Sequence, residues 1–310
     1  MSFSIDIQPI SSFKRIRITD LTTYAYIDII SKGAILNSWM QPSENWDIIE
    51  GNDFTNGWDQ YESNGFKSGK MNPFACRLKN GKYTHLNQSY KIEHFYLGEH
   101  ALHGILYDAD YAIITSEIQE NKARALLAHS YQGTDKGFPF EYTVQVEWTF
   151  HKDNKITVLT TIINNSQVPI PMMDGWHPYF KLAETINDCS LQFENKGILE
   201  YDKSLLPTGR ILANTLFENG CVISTTKLDN GYLLNDQNPS CTLQNDTYKL
   251  IILPNAAYPY LQLYTPDDRK SIAIENLSAA PDCFNNKMGL HLMQPQSSWK
   301  LETSYQLIHK

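Results

Sequence analysis

The chain has 310 residues, 42% of them apolar, which is enough to bury a substantial core. Its 34 acidic and 26 basic side chains leave a formal net charge of −8, which argues against a nucleic-acid partner because phosphate binding needs clustered Lys and Arg. No stretch approaches the roughly 18 uninterrupted apolar residues of a membrane span, which argues against a membrane partner.

Residues 1–12 mix polar and apolar side chains without a charged start and an apolar centre, so no secretory signal is expected. The densest basic cluster, Lys14, Arg15 and Arg17, reads as a solvated segment. Residues 22–30 and 34–40 are rich in β-branched and aromatic types and read as strands. Lys79-Asn80-Gly81-Lys82 carries an Asn-Gly hairpin signal. Residues 121–130 contain good helix formers but are short, and read equally as helix or strand. Thr134-Asp135-Lys136-Gly137 is a weaker turn. From Tyr142 to Phe150 apolar and polar residues alternate strictly, the period of a half-buried strand, and residues 299–307 repeat the pattern. Residues 156–163, 260–264 and 271–274 are further strand candidates, and Asp229-Asn230-Gly231 reads as a second hairpin turn. No repeat, low-complexity tract or Pro-rich linker divides the chain. The expectation is an all-β fold, one large antiparallel β-sandwich in a single domain over residues 1–310.

The five cysteines, Cys76, Cys189, Cys221, Cys241 and Cys283, are odd in number and contain no CxxC pair. That pattern suits reduced, mostly buried thiols, and a cytoplasmic location is expected. Chemistry-bearing residues stand out where polar groups sit in apolar company. His177 lies in Asp174-Gly175-Trp176-His177-Pro178-Tyr179-Phe180, and a core histidine satisfied by backbone is the competing reading. His103 precedes Gly104, which permits close backbone approach, and a plain turn is its alternative. Glu275 ends the apolar run 271–274 and is suited there to proton transfer, or is an edge charge. Arg77 and Asp229 each flank a turn signal, where a solvated charge is the simpler reading. His94, His100 and His103 match no common zinc spacing, so no metal is expected.

Five segments also fall in a recognisable order. They are Cys76-Arg77-Leu78-Lys79-Asn80-Gly81-Lys82-Tyr83, then Leu102-His103-Gly104, then His177-Pro178-Tyr179-Phe180, then Asp229-Asn230-Gly231-Tyr232-Leu233-Leu234, then Glu275 with Pro281, Asp282 and Asn285. They resemble the N-R-I-x-x-G-x-F, L-H-G, H-x-Y-F, D-x-x-F/Y-x-L and E-x-Q…P-D-x-x-N segments of the galactose mutarotase (aldose 1-epimerase) family. The resemblance runs from about residue 70 to the end. It implies the supersandwich fold of that family, a free sugar as small-molecule partner, and no cofactor. It implies catalytic roles for Glu275 as base at the C1 hydroxyl, His177 as acid at the ring oxygen and His103 as support. Arg77 and Asp229 would bind sugar hydroxyls, and Trp176, with Tyr179 and Phe180, would offer a stacking face. Ile105, Leu277 and Cys76 depart from the family pattern at positions that help to shape the sugar pocket. The Trp-His-Pro-Tyr-Phe form is similar to the divergent branch that includes hexose-6-phosphate mutarotases. A phosphorylated sugar, a non-catalytic sugar-binding protein and a glycoside hydrolase using Asp229 and Glu275 are the alternative readings.

Overall fold

The structure, a computed structural model, describes residues 2–310 except 55, 56, 59, 60, 63 and 64. Strands make up 53% of it and helix 3%. The alternation at residues 142–150 becomes the strand Glu141–His151, with Tyr142, Val144, Val146, Trp148 and Phe150 all buried. It forms an antiparallel meander with Lys122–Gln132 and Lys155–Asn164, and the C-terminal Ser298–His309 pairs next to the latter. These four strands are the centre of a nine-stranded sheet. An eight-stranded sheet faces it, running in the order Pro207–Leu212, Asn195–Tyr201, Asp229–Leu234, Tyr260–Tyr264, Ile272–Leu277, Gly175–His177, Gly69–Met71. Tyr179–Phe180 pairs beside Gly175–His177 on Ile272–Leu277. Trp148 of one sheet meets Trp176 of the other at 5.3 Å between rings, and Phe180 meets Tyr305 at 5.5 Å. The apolar core lies between these two inner faces.

Four sequence expectations are corrected or resolved. Residues 121–130 are strand, because Ala123, Ala125 and Leu127 alternate into the core while Lys122 and Arg124 point outward between two paired neighbours. Asn80 and Gly81 have the positive φ values of an Asn-Gly turn, 53° and 62°. The turn does not close a hairpin, however, since Arg77–Leu78 pairs with His100–Leu102 and Lys82–His85 pairs with Gln88–Lys91. Asp229-Asn230-Gly231 is not a turn at all but the start of the strand Asp229–Leu234, fully in register with Tyr260–Tyr264. The strand expected from residue 22 begins at Tyr26. Among the described residues, no helix is long and apolar enough to cross a membrane.

One polar group of residues sits at the centre of the apolar layer. Lys70 and Asp174 are fully buried and ion-paired. Asp174 also accepts from Tyr258 Oη at 2.6 Å and from Asn72 Nδ2 at 2.9 Å, while Lys70 Nζ donates to Thr160 Oγ1 at 3.1 Å and lies 4.3 Å over the Trp176 ring. Burial pushes the Lys70 ammonium down to about 8, with Asp174 opposing the shift. The network ties Gly69–Met71 to the chain that leads directly into Gly175–His177.

Candidate active site

The eight-stranded sheet is buried on one face against the core and on the other against a cavity of about 400 Å³. Strand period decides which side chain reaches which face. Along Tyr260–Tyr264, Leu261 and Leu263 enter the core and Gln262 faces the cavity. Along Ile272–Leu277, Ile272 and Ile274 enter the core and Glu275 faces the cavity. The register then aligns these residues across the sheet: Gly231 opposite Gln262, Gln262 opposite Glu275, and His177 opposite Gly69. Gly175 lies opposite Leu277, which carries His177 to Glu275 two residues along. One transverse row of the sheet is therefore Gly231, Gln262, Glu275, His177 and Gly69.

His177 and Glu275 touch, with Nε2 and Oε1 3.3 Å apart. Both are nearly inaccessible, at 5% and 1% exposure. Burial holds the Glu275 carboxyl well above the usual carboxylate range, and the nearby Asp229 charge adds to the shift. Burial also pushes the His177 imidazole down to about 4. Desolvation thus favours the neutral form of both partners, and the pair holds one proton between them. Tyr179 stacks on His177 at 4.9 Å.

His103 reaches the same place from a different segment. Its backbone φ is 59° and that of Gly104 is 80°, so the chain turns sharply there. A Cβ at Gly104 would meet the Asn72 carbonyl oxygen at 2.2 Å, which makes glycine obligatory at this close approach. The turn sets the His103 ring 5.1 Å from His177, almost perpendicular to it. Burial, with the His177 and Arg77 charges, pushes the His103 imidazole well down. Arg77 and Asp229 both line the cavity and are half-buried. Burial raises the Asp229 carboxyl, and Arg77 opposes that rise.

Five of the six expected site residues, Arg77, His103, His177, Asp229 and Glu275, thus share one cavity. Trp176 is the exception and is corrected. It alternates with His177, so its ring points into the core, onto Trp148 and beneath Lys70. Phe180 is likewise core. Glu275 does not end its strand but lies within it, walled by neighbours on both sides, which is why it is buried. Phe66, Cys76, Tyr201 and Gln262 also line the cavity. A single amide in the apolar run Tyr260–Tyr264 signalled Gln262, but nothing in the sequence signalled Tyr201. Of the other histidines, His100 Nδ1 accepts from the Asn80 amide at 3.1 Å and His94 lies 3.5 Å from Asp108. Among the described residues no three His, Cys, Asp or Glu side chains are arranged to hold a metal ion.

Two facing antiparallel sheets with a cavity on the outer face of one define the galactose mutarotase-like fold class. A galactose mutarotase-like protein from Clostridium acetobutylicum superposes with a TM-score of 0.87 at 17% identity, covering 100% of this chain and 99% of that one. A galactose 1-epimerase from Lactobacillus acidophilus gives 0.83 at 18% identity, covering 99% and 98%. In sequence, the uncharacterized protein YihR of Escherichia coli K12 is 24% identical over 232 residues, 72% of this chain and 73% of that protein. The profile of the aldose 1-epimerase family matches residues 15–306, and the chain belongs to that family. Membership supports an isomerase of the mutarotase type acting on a sugar.

Proposed function

We propose that the protein is an aldose 1-epimerase that interconverts the α and β anomers of a free hexose by ring opening and closure. The observation that carries this reading is the 3.3 Å contact between His177 and Glu275 in the wall of the cavity. Ring opening starts from the form of the pair in which the one proton sits on His177 and Glu275 is ionised. Glu275 takes the proton of the C1 hydroxyl, the bond from C1 to the ring oxygen breaks, and His177 gives its proton to that oxygen. His103, beside His177, steadies the ring oxygen. The products are an open-chain aldehyde, a neutral carboxylic acid and a neutral imidazole. Burial favours this neutral pair, so the site is matched to the ring-opened intermediate. Rotation about C1–C2 presents the other carbonyl face, and the same two transfers run backward. Arg77 and Asp229 hold hydroxyls.

The test is polarimetry on freshly dissolved α-D-glucose and α-D-galactose, with and without enzyme. Faster decay to the same final rotation is expected; no acceleration on either would remove the free-hexose reading. His177→Ala is expected to lower kcat by ~10²–10⁴-fold, the usual range for lost general acid catalysis, and an unchanged kcat would remove it as the acid. The pH profile follows from the same pair. As pH falls, the pair gains a second proton on His177 and no base remains. Because burial pushes that imidazole down to about 4, kcat/KM should hold its plateau through the ordinary imidazole range and fall only toward about pH 4. Half-loss near pH 6.5, the value of a free imidazole, would contradict the assignment.

A further inference from the structure

We infer that Tyr201 and Gln262 form a positioning relay that presents Asp229 to one particular sugar hydroxyl, and that Gly231 is the gap the relay needs. The inference rests on the reading of Asp229 as a sugar ligand. Tyr201 Oη donates to Gln262 Oε1 at 2.8 Å, and Gln262 Nε2 donates to Asp229 Oδ1 at 2.9 Å. All three residues line the cavity, on three adjacent strands. The polarity of the chain is dictated from its end. A carboxylate can only accept, so the Gln262 amide turns its NH₂ toward Asp229 and its carbonyl toward Tyr201, which must donate. Burial keeps the Tyr201 proton in place for this. One Asp229 oxygen is thereby occupied and the other is left for a ligand.

Gly231 is the independent observation. It sits opposite Gln262 at the head of the transverse row, and a Cβ there would stand 2.3 Å from Tyr201 Oη and 3.0 Å from Gln262 Oε1. No turn requires this glycine, since it lies inside a strand and its φ is not positive. What requires it is the passage of the tyrosine hydroxyl to the amide. Gln262 is also the cross-strand neighbour of Glu275, so the relay ends one strand away from the proposed base.

Without Tyr201 the Gln262 carbonyl loses its donor, so the amide is no longer anchored and holds Asp229 less firmly. Tyr201→Phe is therefore expected to raise KM for the preferred hexose about tenfold, the order of one hydrogen bond to a charged group, with kcat changed far less. Gly231→Ala should do the same. The decisive comparison uses the 2-, 3-, 4- and 6-deoxy forms of D-glucose and D-galactose. For the one that lacks the hydroxyl Asp229 binds, native protein and Tyr201→Phe should have equal KM, while the others keep the tenfold gap. A general loosening of the pocket would raise KM for all of them alike and would overturn the relay. So would an unchanged KM in Tyr201→Phe where Asp229→Asn weakens binding. If Asp229→Asn leaves KM unaltered too, the reading of Asp229 itself falls, and the relay with it.

Discussion

Glu275→Gln is expected to abolish measurable turnover and, at neutral and alkaline pH, to raise the melting temperature by roughly a few degrees. The loss of turnover follows from the proposed role: an amide cannot take the C1 hydroxyl proton. The gain in stability follows from burial. Glu275 is 1% exposed, and its carboxyl is held well above the usual range. In the unfolded chain the same group releases its proton near 4.5, the ordinary value of a free glutamate. Between that pH and its raised folded value, the folded state binds more protons than the unfolded one, and stability falls as pH rises. Glutamine has no proton to hold and fills the same space. The difference in melting temperature between variant and native protein should therefore be small at pH 4.5 and widen toward pH 8. Thermal scans across that range, run beside polarimetry, check both halves. A variant no more stable than native at pH 8 would contradict the protonated buried state, and near-native turnover would remove Glu275 as the base.

Asp174→Ala carries the second large effect, an expected loss of about 3–5 kcal/mol, the usual cost of breaking a buried ion pair from one side. Three donors lose the carboxylate at once: Lys70 Nζ, Tyr258 Oη and Asn72 Nδ2, of which Lys70 keeps Thr160 Oγ1 and Asn72 keeps the Met173 carbonyl. The Lys70 charge then has no carboxylate in a fully buried place. Adding Lys70→Met should restore part of the loss, because the uncompensated charge goes while Tyr258 and Asn72 still lack the carboxylate. Urea denaturation of the two variants tests this, and strictly additive losses would contradict it. Asp174 directly precedes Gly175–His177, so kcat should fall in the single variant as well. The motif Asp174-Gly175-Trp176-His177 thus combines a structural anchor, a core aromatic and a cavity-facing imidazole in four consecutive residues.

Much of the fold was legible because a two-residue period is a local property. Residues 142–150 and 299–307 declared half-buried strands by alternation alone, and the structure pairs both with Lys155–Asn164. The Asn80-Gly81 turn was legible in conformation for the same reason: two consecutive positive φ values suit those residue types. Its lack of a hairpin was not legible, since the partners of its flanking strands come from residues 88–102. Gly231 misled because a glycine beside an asparagine signals a turn, whereas here it makes space for a side chain arriving from another strand.

For the site, the sequence by itself singled out Arg77, His103, His177, Asp229 and Glu275 as polar groups in apolar surroundings and in an order that a family shares. Identity and local context suffice for that. Which of them touch, and with what charge, was decided only in three dimensions. Strand register lines up Gln262, Glu275 and His177 in one row, turns Trp176 to the opposite face, and brings Tyr201 over Gly231 to reach Gln262. Burial then moves the Glu275 and His177 protons in opposite directions. Register and burial are sums over strands far apart in the chain, so no local window of sequence contains them.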